Sequence, residues 1–104
     1  MTHIPYIQPE KKVYLLTFTG FRLPITNFLD TRQEILNWFL VLPQALLMVS
    51  RKDAPALTKL IHEQFRDRLF LITEVVPDTS KTNGWLNEKA WEFINDPKSS
   101  GRWE

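Results

Sequence analysis

The chain has 104 residues, 43% of them hydrophobic and 24% charged, with four Trp and seven Phe; this suffices for one domain with a real core and is too short for two of ordinary size. Thirteen Lys and Arg against twelve Asp and Glu give a net charge of +1, so nucleic acid or an anionic membrane could be met only by a local patch. Cys is absent, which excludes disulfides, zinc-thiolate sites and thiol catalysis.

Met1 to Glu10 holds Pro5 and Pro9 and follows neither hydrophobic period, so residues 1–11 read as an extended arm. The stretch contains no apolar core of signal-peptide length, and nowhere does the sequence approach the roughly 18 apolar residues of a membrane span. A cytoplasmic protein with no membrane partner is expected. His3 and His62 are the only histidines, and their separation offers no metal-ligand spacing.

Val13 to Thr19 is rich in β-branched and aromatic residues and ends at Gly20, as a strand would. Alternation puts Val13, Leu15 and Thr17 on one face and Tyr14, Leu16 and Phe18 on the other. Both faces are apolar, so cover is needed on both sides. From Phe21 to Leu42 two patterns overlap. Thr31-Arg32-Gln33-Glu34 fits a capping box that opens a helix running to Pro43. Alternatively a helix begins near Ile25 or Thr26 and Trp38 to Leu42 forms a short strand, with Pro43-Gln44 as its turn.

Ala45 to Ser50 is a second strand that is apolar on both faces. Asp53 then caps a helix with Pro55 in its first turn and Leu57, Leu60, Ile61 and Phe65 along one stripe. His62 lies beside that stripe and reads as a surface or boundary residue. Leu69 to Val76 is a third strand, again expected to be buried on both faces. After a polar loop with Asn83-Gly84 as its turn signal, Asn87 and Glu88 open a short helix that Asp96-Pro97 closes. Residues 96–104 form a polar tail, leaving 12–95 as the domain.

Two architectures fit this order. With Trp38 to Leu42 as a strand, the chain is an α+β, ferredoxin-like βαββαβ unit with a short C-terminal helix, whose second sheet face is closed by that helix or by a twofold partner. With the segment wholly helical, it is a small parallel βαβαβα three-layer unit.

The blocks Lys12 to Phe18, Ala45 to Val49, Asp67 to Val75 and above all Gly84-Trp85-Leu86-Asn87-Glu88-Lys89-Ala90-Trp91-Glu92-Phe93 resemble SinR-like small proteins, related to the CRISPR-associated adaptation subunit. The resemblance implies a ferredoxin-like homodimer in a prokaryotic or phage nucleic-acid or defence setting. It also implies an Asp after the first strand's aromatic residue, where paired carboxylates would hold Mg²⁺ for phosphodiester cleavage. That position is Thr19, a hydroxyl without the charge that recruits a cation. Asp30, Glu74 and Asp78 are the acids that could substitute.

The expectation is therefore a noncatalytic homodimeric scaffold or binding module, without cofactor, metal site or catalytic residues. Its candidate contacts to nucleic acid or another protein are Arg22, Arg51, Lys52 and Trp85, with Trp103 as a further exposed aromatic. The alternative is a divergent metal-dependent nuclease or toxin-like ribonuclease, which alone would require Mg²⁺. A nucleotide sensor ranks last, because Gly20, Gly84 and Gly101 are isolated and form no phosphate loop.

Overall fold

The computed structural model describes residues 9–101, so His3, Trp103 and most of the N-terminal arm lie outside the described residues. Seven elements follow in order: β1 (Lys12–Phe18), α1 (Arg22–Asp30), β2 (Asn37–Leu42), β3 (Ala45–Ser50), α2 (Ala54–Gln64), β4 (Phe70–Val75) and α3 (Glu88–Asn95). The strands form one sheet in the order β2-β3-β1-β4, and every neighbouring pair is antiparallel. This is an α+β chain with a four-stranded antiparallel sheet and three helices, compatible with a small ferredoxin-like fold. The parallel three-layer alternative is overturned by the antiparallel pairing of all three neighbouring strand pairs.

The capping-box helix does not form either. The Thr31 hydroxyl donates to the Phe28 carbonyl at 2.7 Å, closing the end of α1 instead of opening a new helix. Arg32 pairs with Glu34, and the chain from Asn37 joins β3. α1 starts earlier than its apolar pattern suggests, at Arg22, with Pro24 in its first turn, where the missing N–H costs nothing. α2 begins as expected: the Ala56 N–H donates to Asp53 Oδ1 at 3.0 Å. At α3 the Lys89 N–H likewise donates to Asn87 Oδ1 at 2.9 Å.

Period-2 alternation divides the core between the two sheet faces. On the first, Tyr14, Leu16 and Phe18 of β1 and Leu46 and Met48 of β3 pack with Ile25 and Leu29 of α1 and Leu57 and Ile61 of α2. On the second, Val13, Leu47 and Val49 meet Leu36 and Ile94, and Phe93 of α3 lies 5.9 Å from the Phe39 ring. The chain after α3 is tied to the start of β2, because Asn37 Nδ2 donates to the Lys98 carbonyl at 2.9 Å and the Ser100 N–H to the Leu36 carbonyl at 2.8 Å.

β3 is buried at every residue, as its two apolar faces require. β4 departs from the expected double burial, with Leu71, Thr73 and Glu74 exposed. It is an edge strand, and its second-face residues at the Leu71 end lack the cover that Ile94 gives Val13 and Val49. Among the described residues no helix is long and apolar enough to cross a membrane.

Leu16 is fully buried at the centre of the first core. Leu16→Ala is expected to lower the unfolding free energy by about 2–5 kcal/mol, read as a fall in the urea midpoint with an unchanged slope.

Candidate interaction surface

The two ends of the sheet differ in chemistry. β1 ends beside the start of β4 and the β2–β3 turn, because Thr17 is opposite both Ala45 and Leu71, and Phe18 opposite Phe70. Beyond the strand the pairing continues by one residue: the Thr19 N–H donates to the Leu69 carbonyl at 3.0 Å, and the Leu69 N–H to Thr19 Oγ1 at 3.2 Å. Gln44 Nε2 reaches the Gly20 carbonyl at 3.0 Å. Gly20 has φ of 82°, and a Cβ there would sit 3.2 Å from the Arg68 guanidinium. That guanidinium donates to the carbonyls of Thr19 and Phe21 and lies over the Phe65 ring at 5.3 Å. Arg68 is thus bound into the turn that glycine permits.

Around this turn apolar side chains stand in solvent. Phe21 is 84% exposed, Leu69 77%, Leu71 65% and Leu42 55%, and Leu23 in the first turn of α1 is also exposed. Thr17, Phe18, Thr19 and Leu69 to Leu71 line a shallow depression of about 360 Å³. Scattered surface leucines are ordinary, but five large apolar side chains exposed near this end, three from the sheet and its turns and two from the start of α1, make it a candidate interaction surface. Sequence reasoning did not find them. Leu69 and Leu71 read as part of a strand buried on both faces, and only the strand order reveals that strand as an edge.

The opposite end carries paired charges. Arg32 Nη2 donates to Glu34 Oε2 at 2.8 Å, and Lys12 lies 3.6 Å from Glu74. This hydrogen bond from Arg32 holds the Glu34 carboxyl below its ordinary value, against the opposing effect of burial. Tyr14 donates its hydroxyl to the Lys52 carbonyl at 2.7 Å, and its phenol is shifted upward, first by burial and then by Glu74 and Asp53. Arg51 and Lys52 follow β3 at this end, and Lys52, Lys59 and Arg32 share a shallow hollow with Glu34 and Glu63. The cations are interleaved with acids and form no uniformly basic patch.

The sequence candidates therefore do not converge. Arg22 stands at the apolar end, and Arg51 and Lys52 stand at the charged end, separated by the length of β1, roughly 20 Å. Trp85 is fully exposed in the segment that leaves β4 and enters α3. His62 is exposed on α2. No protein-family model, curated protein or solved structure matches the chain.

The acids considered as metal ligands are dispersed and otherwise engaged. Asp30 Oδ1 accepts from Trp38 Nε1 at 2.7 Å. Glu74 pairs with Lys12. Asp78 accepts from the hydroxyl and N–H of Ser80 at 2.7 and 2.9 Å, which lowers its carboxyl below the usual range. Among the described residues no three His, Asp or Glu side chains could hold one ion. The residues around Thr19 do not fit Mg²⁺, which needs several oxygen ligands and is drawn by carboxylate charge.

Gly20→Ala is expected to destabilise the fold by about 1–2 kcal/mol, the cost of a Cβ in the left-handed region, measured by chemical denaturation. The Glu34 contribution has a definite sign. A carboxyl held below its ordinary value of 4.5 stabilises the fold above that pH, and the stabilisation is lost as pH falls through the lower folded value. Glu34→Gln should melt at a lower temperature than the native chain at pH 7, and the gap should close progressively below pH 4.5.

Proposed function

We propose that this protein is a noncatalytic homodimeric scaffold or binding module built on a ferredoxin-like βαββαβ unit. The observation that carries the reading is the uncovered apolar end of the sheet, where Phe21, Leu42, Leu69 and Leu71 are more than half exposed. Apolar surface removed from water is worth roughly 25 cal/mol per Å², so such an end favours association over solvation. A twofold partner answers this need. The similarity to SinR-like small proteins supports the same reading and sets it in a prokaryotic or phage nucleic-acid or defence context, in a soluble cytoplasmic protein.

Thr19 supports the noncatalytic part. Its hydroxyl is engaged with the Leu69 backbone, and no acid in the described residues joins it in a ligand set. Arg22, Arg51, Lys52 and Trp85 remain the contacts through which the module would engage nucleic acid or another protein. Because they lie at separate ends of the sheet, a single short ligand would not touch Arg22 and Lys52 together.

Sedimentation of the full-length chain tests the reading. A dimer at micromolar concentration is expected, and labelled RNA and DNA incubated with it and Mg²⁺ or Mn²⁺ should remain intact. A strict monomer at high concentration, or cleavage by the purified protein, would overturn it.

A further inference from the structure

We propose that the outer edge of β4 is a strand-docking site, at which an extended segment of a different protein adds a further antiparallel strand to the sheet. This site rests on the binding-module part of the reading above and is independent of the dimer. Its basis is the register of β4. The Thr19 N–H donates to the Leu69 carbonyl, and antiparallel residues alternate between those that bond to a given neighbour and those that turn away from it. Leu69, Leu71, Thr73 and Val75 therefore turn their backbone groups to β1. Phe70, Ile72 and Glu74 turn theirs outward, and among the described residues no strand lies beyond β4.

The two edges of the sheet are finished differently. β2 carries a register shift between Leu40 and Leu42, Pro43 follows it, and residues after α3 bond to Leu36 and Asn37 at its start. Bulges, Pro and Lys are the usual guards of an edge. β4 has none of them: Phe70-Leu71-Ile72-Thr73-Glu74-Val75 pairs with β1 over six positions without a shift and contains neither Pro nor Lys. An edge that stays regular, with Leu71 exposed beside it, is a template for another strand.

The outward backbone groups select the occupant. Donors and acceptors alternating at strand spacing are matched by a polypeptide main chain, whereas a phosphate backbone offers acceptors alone. Side chains then set its sequence. Phe70, Ile72 and Glu74 share the first face with Phe18, Leu16 and Tyr14, so an antiparallel strand places its first, third and fifth residues beside Glu74, Ile72 and Phe70. The first favours Lys or Arg, and the other two favour β-branched apolar residues. The fourth lies beside Leu71 on the second face and favours an apolar side chain that covers it. A second copy fits poorly, because the register that pairs all three outward residues sets Glu74 of each copy opposite Phe70 of the other.

The probe is the acetylated and amidated peptide Lys-Thr-Val-Leu-Val-Lys, added to the full-length chain. Hydrogen exchange followed by NMR should show the amides of Phe70, Ile72 and Glu74 slowed about tenfold or more at saturation, with Leu71 and Thr73 unchanged because they already bond to β1. In fluorescence anisotropy of the labelled peptide, Leu71→Lys should raise its Kd about tenfold or more. Glu74→Pro, which removes an outward N–H without touching the β1 pairing, should do the same, with circular dichroism to check that both variants fold. Leu42→Lys, at the opposite edge of the sheet, should leave the Kd unchanged. Failure of the peptide to bind at about 1 mM, protection of the three amides before any peptide is added, or loss of binding in Leu42→Lys alone would overturn the site. Sedimentation keeps the two readings apart: a dimer that takes no peptide overturns the docking edge alone, and a monomer that binds it overturns the homodimeric part alone.

Discussion

The structure depends on β1 having no polar face. It lies between β3 and β4, so its edges are satisfied by backbone pairing and its side chains must be buried from above and below. The first face is sealed by the two long helices, around Tyr14, Leu16 and Phe18. The second is sealed at one end, where Val13 meets Ile94. An eight-residue helix about 12 Å long cannot span both the length and the width of a four-stranded sheet. The shortfall falls at the Thr17 end, and the exposed leucines collect there.

The same constraint explains why much of the fold was legible in the sequence. Double-sided apolarity in Val13 to Phe18 and Ala45 to Ser50 correctly marks the two central strands, and cap chemistry at Asp53 and Asn87 correctly places two helix starts. Between Phe21 and Leu42 local signals conflicted. Thr31 and Glu34 have the residue types of a capping box, yet the threonine hydroxyl bonds back to Phe28 and the glutamate to Arg32. Tertiary pairing of Asn37 to Leu42 with β3 decided between patterns that local propensity could not separate. The exposed apolar end was the least legible part. Leu69 and Leu71 have the composition of a buried strand, and their exposure comes from the strand order, a non-local property.

Charge separates the two ends more than their residue counts suggest. At the start of β1, Lys12 pairs with Glu74 and Arg32 with Glu34, so these two cations are offset by neighbouring acids. At the other end Arg68 is turned inward onto backbone carbonyls, where it fixes the turn beneath the apolar patch. Its guanidinium therefore acts on the shape of the surface as well as on its charge.

Thr19 joins these arguments. Its hydroxyl donates to the Leu69 carbonyl at 3.4 Å and accepts the Leu69 N–H at 3.2 Å, so one side chain serves both backbone groups of its neighbour. An ionised Asp could accept from that N–H but could not donate to the carbonyl, and it would set negative charge against the carbonyl oxygen. It would also place a charge beside Leu69 and Leu71, which stand uncovered. The position favours a small neutral hydroxyl for the same reason that it disfavours a metal ligand: the strand end is built to extend the β1–β4 pairing under an apolar surface.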